Sequence, residues 1–140
     1  MAEFSCLGLD EVLKDLTAVS EIPDDVMDEM LNAGADVVVT AQKRKIRQYR
    51  IYDTGQVQRS IKKGKVKIKD GKRVIFVTPT GSRKRGNTVT KNADILFVNE
   101  FGKRGKKARP AIRDANEESA EATTAAEAAI LDKWMKSKNL

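Results

Sequence analysis

Histidine is absent from the 140-residue chain, and cysteine occurs once, as Cys6. Histidine is the commonest general base and the commonest metal ligand. Without it, and with a single thiol, a zinc site has too few donors. One cysteine allows no intrachain disulfide, which fits a reducing compartment. Nothing beside Cys6 would lower its pKa, so it reads as a small apolar residue, not a nucleophile. No apolar run approaches the ~18 residues of a membrane span, so no membrane partner is expected. The N-terminal stretch MAEFSCLGLDE is acidic and has no basic signal-peptide region. Glycine-rich dinucleotide, phosphate-loop and nucleophile-elbow motifs are all missing. Carboxylates are plentiful, but they fall in helical runs at surface spacings. These absences argue against an enzyme, and no catalytic, cofactor-binding or metal-binding residue is assigned. Aromatic residues make up only 5% of the chain. A core has to be built from Val, Ile, Leu, Met and Ala.

What the chain has in quantity is charge, 34% of residues, for a net +7. It is unevenly placed. Residues 1–42 hold ten acids and one base, whereas residues 43–73 hold thirteen bases and two acids. Residues 74–109 are again basic, and 110–140 slightly acidic. An acidic front and a basic middle suit either nucleic acid near the middle or complementary packing between subunits. The plainer reading is that lysines solvate exposed strands and block edge pairing.

In chain order, the length suits one domain spanning 1–140. Leu9, Val12, Leu13 and Leu16 share one face of a helix expected at about 8–18. Pro23, Asp24 and Asp25 suit the start of a second, long helix at about 24–47. Its apolar stripe runs through Val26, Met30, Ala33, Gly34, Val37, Val38 and Ala41. Residues 48–109 read as a sheet with long basic loops. Val57 and Ile61 anchor a single helical turn, and a strand near Gln48–Tyr52 is a further candidate. Lys65-Val66-Lys67-Ile68-Lys69 alternates as a strand with Val66 and Ile68 inward. Asp70-Gly71 signals a tight hairpin turn, and Arg73–Thr78 returns as a central partner strand. Residues 79–93 read as a polar loop with a basic tip at Arg83, Lys84 and Arg85.

Asp94–Asp114 is the stretch on which the rest converges. Ile95-Leu96-Phe97-Val98 is short and β-rich enough to read as a buried strand. Glu100-Phe101-Gly102 breaks it, and a basic loop follows with Lys103, Arg104, Lys106 and Lys107. Glu100 beside Arg104 and Arg109 suggests an ion pair at this corner. Beyond Pro110 the composition is helical, from about 111 to 137. Its apolar positions are small, such as Ala115, Ala122 and Ala126, until Ile130 and Trp134. Small residues suit close packing against a sheet. The expected class is α+β: a small antiparallel β-sheet packed by a long N-terminal-half helix and a long C-terminal helix.

The order of these signals resembles the head–tail joining or tail-completion proteins of long-tailed bacteriophages and prophages. The residues that carry it are Thr54-Gly55-Gln56-Val57-Gln58-Arg59-Ser60-Ile61, Val98-Asn99-Glu100-Phe101-Gly102 and Ala108-Arg109-Pro110. The likeness runs from about Leu9 to the C-terminus. There are departures: Val57 stands where that family usually has Leu, Lys103 follows Gly102 in place of Thr, and Ala111 replaces Phe after Pro110. The resemblance implies a structural virion protein at the head–tail junction, made in the host bacterial cytoplasm. It implies a ring, hexameric in that family, around the DNA channel, touching the tail tube or terminator and the head connector. Thr54, Gly55, Val57, Ser60, Ile61, Glu100, Phe101, Gly102, Arg109 and Pro110 are then the family motif and candidate interface. Arg83, Lys84, Arg85, Lys103, Arg104, Lys106 and Lys107 are the basic positions expected to face DNA or a partner. Two alternatives stand beside it: a nucleic-acid-binding module, and the neighbouring tail-terminator or connector-stopper role.

Overall fold

The computed structural model describes residues 8–51 and 55–140. Two long antiparallel helices form its frame: α2 (Asp24–Gln48) and α5 (Ala111–Ser137). The pairing is legible from its contacts. Tyr49, at the end of α2, meets Asp114; Lys45 meets Glu118; Gly34 meets Glu127. Small residues at the seam let the two backbones approach. Gly34, Ala35 and Ala41 are buried on α2, as are Ala111, Ala115 and Ser119 on α5. A Cβ on Gly34 would run into the Glu127 carboxylate. Small residues on α5 therefore serve a helix–helix contact, not the helix–sheet contact expected. Ala122, expected on the packed side, is exposed; Ser119 takes the buried place one turn earlier.

α1 (Leu9–Ser20) precedes this frame, and the short α3 (Gln56–Ser60) follows α2. The β structure is three separate two-stranded antiparallel pairs. β1 (Ile61–Lys63) pairs with β4 (Val77–Pro79), so that Ile61 faces Pro79. β2 (Lys67–Lys69) pairs with β3 (Lys72–Val74) across the predicted turn. Asp70 and Gly71 both have positive φ, 51° and 73°, as a twist-matched two-residue hairpin demands. β5 (Ser82–Arg85) pairs with β6 (Thr88–Lys91).

Five expectations are corrected here. Residues 94–99 are not a strand but part of a helix, α4 (Asn92–Phe101). Its buried positions are Asn92, Leu96 and Asn99, spaced i, i+4 and i+7. Two of the three are polar, so the helical period is invisible to a reading that counts only apolar residues as interior. Residues 79–93 are not a loop; most of them form the β5–β6 hairpin. Arg73–Thr78 is not one strand. It is divided between two pairs, with Ile75 and Phe76 between them. Ile68 does not point inward: it is 68% exposed, although its cross-strand partner Arg73 reaches α2. No strand forms over Gln48–Ile51, where α2 ends in a turn; Tyr52 lies outside the described residues.

The buried core is small and sits at one end of the helical frame. Ile46 and Ile51 from the end of α2, Val57 from α3, Ile61 from β1, Leu96 from α4 and Ala111 from α5 form it. Aliphatic side chains fill it, as a chain so poor in aromatics requires.

Candidate assembly surface

The motif residues divide into an inside and an outside. Val57 and Ile61 are fully buried, and Ser60 is buried with its hydroxyl donating to the Val57 carbonyl at 2.6 Å. Gly55 starts α3; Thr54 lies outside the described residues. These positions hold α3 and β1 against the end of α2.

The second part of the motif forms a hydrogen-bonded corner where α4 meets α5. Pro110 has no N–H and sits at the N-terminal boundary of α5 with φ −79° and ψ 67°. The Ala111 amide reaches back to the Arg109 carbonyl at 2.8 Å, a three-residue inverse γ-turn. The next two amides of α5 are orphans of any helix start. Glu100, at the far end of α4, accepts both, from Ile112 at 2.9 Å and Arg113 at 2.8 Å. Its carboxylate also complements the positive end of the α5 dipole. The expected ion pair with Arg104 or Arg109 is thus replaced by a cap delivered from a neighbouring helix.

Arg109 does different work. Its Nη1 donates to the carbonyls of Tyr49 at 3.0 Å and Arg50 at 3.2 Å, the unsatisfied end of α2. Its Nη2 donates to Asn99 Oδ1 at 2.6 Å, and its backbone amide to the Asn99 carbonyl at 2.6 Å. Asn99 in turn donates to Ile95 at 2.8 Å. One guanidinium therefore ties the C-terminal end of α2 to α4 and to the start of α5. Asn99 lies within the Val98–Gly102 motif but has no role of its own legible in the sequence, because a lone amide carries no pattern. Gly102 closes α4 and turns the chain with φ 75°. An added Cβ there would come within 2.9 Å of the Lys106 carbonyl oxygen and the Ala108 nitrogen, so only glycine fits without movement.

A second cluster braces the same end. The Tyr49 hydroxyl donates to Asp114, and Lys45 pairs with Glu118 at 2.5 Å while lying over the Tyr49 ring. The Tyr49 bond lowers the Asp114 carboxyl below its ordinary range, and Arg113 lowers it further. The same bond raises the Tyr49 hydroxyl. The Glu118 carboxylate, accepting from Lys45, raises that ammonium.

The unlike charges of front and middle meet partly within the chain. Arg73 on β3 grips Asp24 at 2.8 Å and Asp28 at 2.6 Å at the start of α2, and Lys63 on β1 reaches Asp36 at 2.8 Å. The Asp28 hydrogen bond is the main cause of a raised Arg73 pKa.

Outside this frame the described surface has several basic segments and several exposed apolar residues. Lys84 and Arg85 are exposed on the β5–β6 hairpin, Arg83 partly so. Lys103, Arg104 and Lys107 are exposed on a tight turn held by reciprocal Lys103–Lys106 backbone bonds; Lys106 is half-buried. The two basic segments are not brought into one patch. They stand at opposite ends of α4, separated by about 15 Å of helix axis. Between them, Phe97 and Phe101 are exposed with ring centroids 4.8 Å apart. A further apolar surface is the stripe on α1. Among the described residues no group of His, Cys, Asp or Glu is placed to hold a metal, and no helix is long and apolar enough to cross a membrane.

Comparison with curated proteins and with solved structures gave no match. The model of one protein family does match, over residues 10–99; it is the HK97-gp10-like family, described as "Bacteriophage HK97-gp10, putative tail-component". The match takes in α1 through β6 and nearly all of α4, and stops one residue before Glu100. The Arg109–Pro110 corner and α5 lie beyond it. That span is well over half of the chain and carries its helical front, its hairpins and the buried Val57–Ile61 turn: the protein belongs to the HK97-gp10-like family of bacteriophage tail components.

Proposed function

We propose that this chain is a non-catalytic structural protein of the phage head–tail junction, working as a single domain that assembles into a ring around the DNA channel. The family match over residues 10–99 carries the reading, since a tail component must bind other virion proteins. The surface supports it in detail. A monomer with its own concerns would cover Phe97 and Phe101, which are 64% and 69% exposed; contiguous apolar exposure of this kind marks an interface. The exposed Lys84, Arg85, Lys103, Arg104 and Lys107 suit contact with channel DNA or an acidic partner ring. The tail tube or terminator and the head connector are the protein partners, and assembly takes place in the host cytoplasm.

Mass by light scattering, alone and with purified tail tubes, tests this. A closed ring, or saturable capping of tube ends, is expected. A chain that ignores tubes, stays monomeric and binds duplex DNA with a steep salt dependence would instead be a nucleic-acid module. The observation favouring that second reading is the β2–β3 hairpin, whose Lys67, Lys69 and Lys72 are all exposed.

A further inference from the structure

α1 is an amphipathic helix whose apolar side is left exposed among the described residues. Leu9, Val12, Leu13 and Leu16 are 50–60% exposed, although their i, i+3, i+4, i+7 spacing is that of a packed face. A 12-residue helix is marginal in water on its own, so this one needs a surface. The chain carries a groove of suitable chemistry elsewhere, between α4, α5 and β4. Val77, Pro79, Ala93, Phe97, Phe101 and Ile112 line it. Ala93, Phe97 and Phe101 follow one another at four-residue intervals along α4, which gives a helix-length apolar track.

The groove cannot take the whole stripe of its own α1. Gln42 lines it, and Gln42 lies about 27 Å along α2 from Asp24, where α1 joins. The linker residues 21–23 and the last turn of α1 carry Leu16 no further than about 20 Å from Asp24, so only the Leu9 end of the stripe could come near the groove of the same chain. A second copy has no such limit. The charges agree with that pairing. The stripe on α1 is flanked by Asp10, Glu11 and Asp15, against Lys14. The groove holds Arg113, whose side chain is 64% exposed. Lys91 stands exposed at one end of the α4 track, and Lys103, Arg104 and Lys107 at the other. Of the acids on α4, Glu100 spends both oxygens on α5, which leaves Asp94.

We infer that α1 of one copy docks its Leu9–Leu16 stripe into the α4–α5 groove of the next copy. This deepens the ring reading above and rests on it for the presence of a neighbouring copy. Each subunit gives one helix and receives one, a heterologous contact that propagates and closes at a fixed rotation.

Two single-cysteine chains test it, both in a Cys6→Ser background: one with Leu13→Cys, the other with Phe97→Cys. Both positions are exposed, so neither change threatens folding. On mixing and mild oxidation, a mixed disulfide dimer is expected, well above what either chain forms alone. Separately, Leu13→Glu with Leu16→Glu should weaken self-association at least tenfold by light scattering, with helical content by circular dichroism retained in α2 and α5. The inference is overturned if no mixed disulfide forms or if association ignores the glutamates. It is also overturned if Leu13 and Phe97 crosslink only when both cysteines are in one chain, at monomer mass. A wild-type chain that shows no association by light scattering, alone or with tail tubes, overturns it as well. The virion role fails separately: a chain that associates through α1 yet never caps a tail tube keeps the docking and loses the junction.

Discussion

The two ends of α2 are built to opposite plans. At the C-terminal end, α2, α3, α4, β1 and the start of α5 share one buried core, and polar groups are matched one to one by Arg109, Asn99 and Glu100. At the N-terminal end, α2 is held by the largely covered Arg73, which grips Asp24 and Asp28 at their more exposed carboxylates, and α1 extends from it with its leucines uncovered. Surface ion pairs contribute little, typically ~0–1 kcal/mol, whereas buried aliphatic packing and fully satisfied polar corners are costly to disturb. The contrast locates stability at one end and leaves the other available for contact.

The comparison can be broken hardest at Arg109. Arg109→Ala strips donors from the Asn99 side chain and from the Tyr49 and Arg50 carbonyls at once. A loss on the order of 3 kcal/mol is expected by urea denaturation. A change below 1 kcal/mol would mean the corner is not a stability centre. Val57→Ala opens the core that the Thr-Gly motif leads into, and should cost about 2 kcal/mol. Glu100→Ala removes the cap from α5 and should cost about 1 kcal/mol, with Glu100→Gln recovering part of it because one oxygen still accepts.

The pH dependence sharpens the same contrast. Asp114 is lowered by its bond from Tyr49. Its contribution is therefore present above the unfolded carboxyl value of about 3.9 and is lost as pH falls through the lower folded value. Tyr49 is raised. Its contribution is present below about 10 and is lost as pH rises through the higher folded value. Tyr49→Phe should flatten both limbs of a stability–pH profile, and Asp114→Asn should remove the Asp114 part of the acid limb and reduce the alkaline limb, because Asp114 is what raises Tyr49. If either variant leaves both limbs unchanged, the pair is not coupled to folding. The smallest effect belongs to the exposed side: Ile68→Lys, at an exposed position of the β2–β3 hairpin, should change stability by less than about 0.5 kcal/mol. A larger loss would show that the Ile68 side chain itself packs on something.

What the amino-acid sequence determined by itself was local. Both long helices, the Asp70-Gly71 turn and the single turn at Val57 follow from apolar spacing, capping chemistry and turn residues, which act over a few neighbours. The absence of His and the near-absence of Cys narrowed the chemistry in the same way. The ordered motif series was also legible: its resemblance to phage joining proteins pointed to the family that residues 10–99 match. Tertiary structure decided whatever depends on partners distant in the chain. Ile95–Val98 became helix because Asn99 and Asn92 could be buried there, and they could be buried because Arg109 and the Thr80 carbonyl supply their hydrogen bonds. Glu100 became a helix cap and not an ion-pair partner because α5 starts beside it. α5 lies on α2, not on a sheet, because Gly34 and Ala115 leave room. A polar side chain has no fixed inside or outside in the sequence; the groups that satisfy it are assigned only when the chain has folded.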